Sequence, residues 1–554
     1  MLKRKANKLS QIDNLSNNEK LINGFAWLSA GLLLSRLIGA VYIIFWSKWI
    51  GEHYELANSL YAIAYNPYVL FIDIATAGFP MAITKQVSQL NAQKEYKASM
   101  QLFKHSAIVM VAFGLIAASI FYLSAGFIAN NSVQPTHNMM DNIRVLRTLT
   151  PTLVILPLIS ILRGFFQGNQ QMTTPAVSQI IEQFVRVGYM LGMTYYVMKI
   201  KGGSFIEAVE QSTFAAFVGA AVTLIFLLIE FAKAYPYLMD RIRLGEKNIH
   251  INFKMSLMTV LKDSIPFVLM SMGASVLAII DQFLYRPILH DFSDYDARKT
   301  AISYSWFSAN TIKLTSIVGS LTMAMTTATI PNIATLYHKK SFKELAQSIT
   351  KNLQFYLFII LPTAIGLNIV GNSMYRVFYS DANGAHVLKF VSLALITSGL
   401  FSIFVSMLQG MGKHHVALRA FSILIATKLL MDMIFIALFK EIGPGLADIS
   451  AALLALFYLW TEMKHLTRFN ARAVFHSLEK TILSTIFMSV FASLSYLILT
   501  RLLSEFGFLP NIIRVVVTAI VGAIAYAYAS LKLGLLETHF PQYTPKIKRL
   551  FRMK

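Results

Sequence analysis

In the stretch GLLLSRLIGAVYIIF, Arg36 is a permanent cation inside an otherwise apolar run. A guanidinium offers paired donors in one plane, a geometry that suits phosphate oxygens. Other ionisable residues are equally out of place: Glu182 and Arg186, Asp281, Lys313, and Lys428 with Asp432 all interrupt apolar runs, while Arg163 and Asp73 lie nearer the ends of theirs. Glu182 with Arg186, and Lys428 with Asp432, are spaced i,i+4, so on a helix each pair either neutralises itself or keeps its charge for a ligand. Arg36 and Lys313 have no acid one turn away. A cation without a local counter-ion in an apolar environment is a functional candidate, and the partner it suits is an anion. Enzyme chemistry has less to work with. There are no cysteines, no Walker loop, no H-E-x-x-H and no nucleophile elbow. No cofactor is expected, and without an ATP-binding motif the drive for any transport must come from an ion gradient or the membrane potential.

The elements that hold these residues follow from composition. The chain has 554 residues, 56% of them hydrophobic, with a mean hydropathy of +0.56. No soluble domain of this size hides so much apolar surface, so the expectation is an all-α polytopic membrane protein. Apolar runs long enough to span predict about fourteen transmembrane helices, at 22–46, 55–79, 103–130, 145–168, 174–199, 205–234, 257–289, 301–334, 351–379, 384–411, 415–440, 444–463, 477–501 and 510–535. The first run starts after a polar stretch and is long enough to span, so no cleavable signal peptide is expected. The net charge of +22 would suggest nucleic acid in a soluble protein. Here Lys and Arg gather in every second loop, as in Lys3 to Lys8, Lys85 to Lys104, Arg241 to Lys254, Lys339 to Lys343 and Lys546 to Arg552. That alternation predicts a multi-pass plasma-membrane protein with both termini cytoplasmic, partnered by the lipid bilayer and not by nucleic acid. At about 1.5 Å per residue, Arg36 falls close to the bilayer midplane, too deep to reach water along its own stem, so it must face protein or water.

Two regions of the chain look alike. LISILRGFFQGNQQMTTPAVSQIIEQFVRVGYM and LFSIFVSMLQGMGKHHVALRAFSILIATKLLMD both run helix, Gln-Gly, polar turn, helix, with Gln167-Gly168 matching Gln409-Gly410. AGFPMAITKQVSQLNAQKEYKASMQLFKHS and TATIPNIATLYHKKSFKELAQSITKNLQF form a second pair. An even number of helices separates the copies, which predicts a parallel repeat about an axis along the membrane normal. The expected domains are an N-terminal cytoplasmic segment (1–21), an N-lobe of six helices (22–234), a basic linker (235–256), a C-lobe of six helices (257–463), two further helices (464–535) and a basic cytoplasmic tail (536–554). Two pseudo-symmetric lobes with a cavity between them can rock to give alternating access. Three other features read as structural. Asp291, Asp294 and Asp296 lack the glycine and terminal glutamate of a calcium loop, the adjacent His414 and His415 point apart on a helix, and Gly188 with Gly192 predicts close helix packing.

RGFFQGNQQMTTPAVSQIIEQFVRVGYML, together with SRLIG in the first span and the duplicated layout, resembles the SpoVB/YtgP branch of the MurJ-type lipid II flippases, within the multidrug/oligosaccharidyl-lipid/polysaccharide exporter superfamily. The likeness covers essentially the whole chain. It implies a fourteen-helix fold that turns lipid II, the undecaprenyl-diphosphate-linked peptidoglycan precursor, from the inner to the outer leaflet, with the cell-wall synthesis machinery as a possible partner. By position, Arg36 matches the arginine of the family's Ser-Arg motif, which is expected to meet the diphosphate. Tyr42, Asn58 and Phe71 stand where the better-known pattern has an arginine, an aspartate and another arginine, so the cation set is rearranged. Lys313 falls near the family's eighth-helix arginine, while Arg163 and Arg186 belong to this branch's own motif. The expected substrate-binding set is Arg36, Lys313, Arg186, Arg163 and Glu182. Lys428 puts an ammonium where some relatives hold sodium, and the expectation is an ion-pair set of Asp281, Lys428 and Asp432 with no metal. Alternatives are a flippase for another undecaprenyl-linked glycan, a cation/drug antiporter, which would need an acidic cavity, and a scaffold of the cell-wall machinery.

Overall fold

The computed structural model describes residues 38–39, 41–76, 78–136, 138–244 and 271–540, with the single positions 258, 265, 268, 269 and 544. Arg36 lies outside the described residues. Every regular element among the described residues is helical. In chain order, after a helical stretch at 41–50, these are α1 (Tyr54–Thr76), α2 (Gly78–Ala92), α3 (Tyr96–Asn130), α4 (Met139–Thr148), α5 (Thr150–Gly168), α6 (Thr173–Tyr195), α7 (Phe205–Leu244), α8 (Gly273–Phe292) and α9 (Ala297–Ser305). They continue as α10 (Ile312–His338), α11 (Phe342–Tyr379), α12 (Ala385–Gly410), α13 (His414–Phe439), α14 (Gly443–Thr467), α15 (Ala471–Leu502), α16 (Phe508–Lys532) and α17 (Leu535–His539).

Nine stretches among the described residues are long and apolar enough to cross a membrane. The protein is an all-α, multi-pass membrane protein. Three of the nine hold two helices each, Met139–Gly168 (α4 and α5), Ala297–His338 (α9 and α10) and His414–Thr467 (α13 and α14), and the last far exceeds the ~20 residues that one crossing needs. The expected span at 22–46 falls largely outside the described residues, whereas that at 257–289 is described continuously from residue 271 and there forms α8. Those at 55–79 and 174–199 are the helices α1 and α6, whose polar and charged residues keep them out of the nine. Several helices outrun their apolar cores: α11 spans 38 residues and begins nine positions before the apolar run at 351, in FKELAQSITK. Charged residues with good helix propensity continue the backbone ladder beyond the hydrocarbon.

The chain divides into two compact units. One takes in the described residues up to Tyr42 together with 60–279, and α5 is its centre, packed on α2, α3 and α7. The other takes in 43–59 and 280–554, so the end of the first helical stretch and the start of α1 belong with the part of α8 from residue 280 onward and with α9 to α17. There α12 packs on α10, α11 and α14, while α13 lies against α14 and α15 against α16.

The two Gln-Gly glycines do the same work in their own units. A Cβ on Gly168 would stand 2.6 Å from Val87 Cγ1 and 3.1 Å from the Thr84 carbonyl on α2, and one on Gly410 would stand 2.8 Å from the Ile330 carbonyl on α10. In each case the missing side chain lets the helix ending in Gln-Gly press on the proline-bearing helix of the other repeat motif. Gly188 and Gly192 behave otherwise. A Cβ on either meets no described atom within 4 Å, so the expected close helix packing at this Gly-x-x-x-Gly is not found among the described residues. Spacing alone cannot reveal whether a helix face has a neighbour. Gly410→Val is therefore expected to lower stability by about 1–3 kcal/mol through overpacking, with Gly188→Ala near neutral. Thermal midpoints of the purified protein check both.

Candidate functional site

In the first unit, the ionisable residues of α5 and α6 sort themselves across helices. Arg163 on α5 sends Nη2 to Glu182 Oε2 on α6 at 2.7 Å and Nε to Ser178 Oγ at 2.8 Å. Ser178 is fixed in turn by donating to the Pro175 carbonyl at 2.7 Å. Glu182 thus pairs with Arg163 and not with Arg186, its neighbour one turn on. Arg186 is held by phenols instead. Its Nη2 donates to the Tyr61 hydroxyl at 2.9 Å, and its guanidinium lies 5.1 Å from the centroid of the Tyr65 ring. Tyr61 and Tyr65 stack at 5.2 Å, one turn apart on α1. Among the described residues no carboxylate is within ion-pair distance of Arg186. Hydroxyls and ring faces orient a guanidinium without cancelling its charge. Asp73, near the end of α1, accepts from the Ser275 hydroxyl.

In the second unit, Lys313 stands in the first turn of α10, directly after a π-helical turn at Trp306–Thr311. Such turns interrupt the regular ladder and are frequent at functional sites. Here the turn buries Asn310, whose Nδ2 donates to Tyr375 OH at 2.6 Å and whose Oδ1 accepts from Asn58 Nδ2 at 2.7 Å. The Lys313 ammonium donates to Asn58 Oδ1 at 2.6 Å and lies 5.3 Å from the Trp46 ring centroid. Asn58, the position where the family pattern carries an acid, is a neutral link between Lys313 and Asn310.

Lys428 on α13 is fully buried, at 0% exposure. Its Nζ lies 2.7 Å from Asp281 Oδ1 on α8, 3.0 Å from Asp432 Oδ1 one turn along α13, and 2.9 Å from Asp448 Oδ1 on α14. It also donates to the Pro444 carbonyl at 3.0 Å. The structure therefore brings the expected trio together and adds Asp448. The signal for this third acid was present in GPGLADIS, four residues after Pro444 in the run read as a span, but nothing in its spacing ties it to α13.

Arg514 is a second buried cation outside the expected set, at 2% exposure. Its Nη2 donates to the Leu503 carbonyl at 2.7 Å, and longer contacts of 3.4 and 3.5 Å reach the Leu499 and Thr500 carbonyls. Those carbonyls lie at the C-terminal end of α15, where Leu499 also accepts the Leu503 N–H and a cation complements the helix dipole. Its role is structural.

A family model described as polysaccharide biosynthesis protein matches residues 21–337, more than half of the chain. The chain belongs to the polysaccharide biosynthesis protein family. The match takes in Arg163, Glu182, Arg186, Asp281 and Lys313, and stops short of Lys428. Over longer stretches, the chain is 29% identical across 537 residues to the lipid II flippase MurJ of Bacillus subtilis (strain 168), covering 94% of this chain and 96% of that one. Stage V sporulation protein B of the same organism is 21% identical over 385 residues, covering 67% of this chain and 69% of that one. Among solved structures, a lipid II flippase MurJ in an inward closed conformation superposes with a TM-score of 0.64 at 15% identity, over 92% of this chain and 98% of that one. An inward-facing multidrug resistance MATE family transporter of the MOP superfamily superposes at 0.59 with 12% identity, over 79% and 100%. The chain therefore shares the fold of these solved transporters.

Proposed function

We propose that this protein is a flippase for lipid II, moving the undecaprenyl-diphosphate-linked peptidoglycan precursor from the inner to the outer leaflet of the plasma membrane by alternating access of two six-helix lobes. The observation that carries the reading is the near full-length similarity to a lipid II flippase, 94% of this chain against 96% of that one. The charge pattern supports it: a diphosphate is the kind of anion that Arg186, oriented by Tyr61 and Tyr65 with its charge intact, is suited to receive. Arg36 and Lys313 complete the proposed cation set. Arg163, tied to Glu182, serves in this reading to hold α5 and α6 in register. The drive is the membrane potential or an ion gradient, with both termini in the cytoplasm. The family's description as polysaccharide biosynthesis protein favours a second reading, a flippase for another undecaprenyl-linked glycan.

The test replaces the endogenous flippase of a depleted cell with this protein and measures lipid II exposed on the outer leaflet. Wild type is expected to restore exposure, and Arg36→Ala at equal membrane levels is expected to fail. Restored export of a different glycan with no lipid II exposed would transfer the assignment to the second reading, and full activity of the Arg36 variant would remove the cation argument.

A further inference from the structure

The proposed drive leaves the coupling ion open, and assigning that ion rests on the reading of the protein as a gradient-driven transporter. We propose that Asp281, Lys428, Asp432 and Asp448 form a proton-binding site, loaded from water through Asp448. Three carboxylates face one ammonium, so with every group ionised the quartet carries two uncompensated negative charges. Lys428 and Asp432 have side chains at 0% exposure and Asp281 at 5%. Excess charge sealed so deeply among apolar helices is strongly disfavoured, and a bound proton reduces it.

The donor count points the same way. An ammonium has three N–H donors, whereas four acceptor groups converge on Lys428: the Pro444 carbonyl and one oxygen from each aspartate. Both oxygens of Asp432, with Asp281 Oδ1 and Asp448 Oδ1, are buried without a hydrogen-bond partner among the described residues, although one oxygen of each acid lies within ion-pair distance of Lys428. A proton on a carboxyl turns an acceptor into the missing fourth donor. A metal ion fits less well, because the Lys428 nitrogen already occupies the point on which the carboxylates converge, and no group of three or more acidic, His or Cys residues among those described is arranged to hold one. A proton adds no volume.

Exposure supplies the route. Asp448 is the most exposed member, at 28%. A hydronium ion there gives its proton to the Asp448 carboxylate, forming an O–H bond and leaving water. Lys428 then takes that proton as it passes one of its own to Asp432, so the ammonium is restored and the quartet's net charge rises by one. The groups that face the site are Asp281 from α8, Lys428 and Asp432 from α13, and Asp448 from α14; among the described residues no other cation pairs with any of the three acids. Glu441, in the short helical turn between α13 and α14, faces His386 and Tyr295 instead. Because the site joins three helices, its charge state acts on how α8 lies against α13 and α14.

The full-length protein in lipid vesicles decides this by infrared difference spectroscopy across a pH step, reading the C=O band of protonated carboxyl groups. Wild type is expected to show such a band near neutral pH. Asp432→Asn is expected to abolish it, and Asp448→Asn, at a half-buried position tolerant of the change, is expected to slow its appearance. A pH step that moves no carboxyl band, or the same band with the same kinetics in both variants, overturns the proposal. In the same vesicles loaded with lipid II, a pH gradient at zero potential is expected to accelerate flipping in wild type but not in Asp448→Asn. Acceleration by a sodium gradient alone overturns the proton assignment. Absence of any lipid II movement in wild type counts against the functional reading, while the infrared result still decides the site.

Discussion

Lys428→Met is expected to destabilise the protein by about 3–5 kcal/mol, the usual cost of removing one member of a buried ion pair, and to lower both its thermal midpoint in detergent and its level in the membrane. The effect is large because three acids depend on the same nitrogen, with separations of 2.7 to 3.0 Å. Loss of the ammonium leaves Asp281 and Asp432 buried without a cation, and the Pro444 carbonyl loses its donor. Neutralising the acids at the same time separates charge from packing: Lys428→Met combined with Asp281→Asn and Asp432→Asn is expected to recover most of the lost stability. If the single and triple variants melt alike, the packing of the long lysine stem and not its charge holds α8, α13 and α14 together.

Arg186→Gln is the converse case, a large functional effect with little change in stability. A charge-assisted hydrogen bond is worth about 1.5–3 kcal/mol, so losing the guanidinium is expected to weaken lipid II binding by roughly 10- to 100-fold. The fold should tolerate the change, since Arg186 has a hydroxyl and a ring face as partners and its removal strands no paired carboxylate among the described residues. Arg163→Gln should reverse the balance, because it strips Glu182 of its cation. Lipid II binding to purified protein beside its thermal midpoint separates the two arginines, and equal binding by wild type and Arg186→Gln would remove Arg186 from the substrate site.

Much of the architecture is legible in the amino-acid sequence. Run length marks a span because helix rise and bilayer thickness are fixed quantities. The match worked best where apolar runs are clean, as at α12 (Ala385–Gly410) against an expected 384–411 and α13 (His414–Phe439) against 415–440. It slipped where charged helix formers continue a helix into water, as at the start of α11. The duplicated Gln-Gly motif was visible as letters, whereas the reason for its glycines appeared only as the approach of Gly168 to Thr84 and of Gly410 to Ile330.

The residues that matter chemically divide in the same way. An ionisable group in an apolar run is conspicuous in the letters, because the desolvation cost belongs to that residue and its immediate neighbours. Glu182, Arg186, Asp281, Lys313, Lys428 and Asp432 stand out on that ground, while Arg163, nearer the end of its run, is marked by the family motif. Their partners could not, since helical periodicity predicts contacts only along one helix. It offered Arg186 to Glu182, and the packing of α5 on α6 chose Arg163, 19 positions away. It paired Lys428 with Asp432 and was silent about Asp448, which only the contact of α13 with α14 brings within 2.9 Å. Which charges are carried into the membrane is written in the order of residues. Which of those charges are neutralised is settled by helix packing, because it depends on distances between helices far apart in the chain.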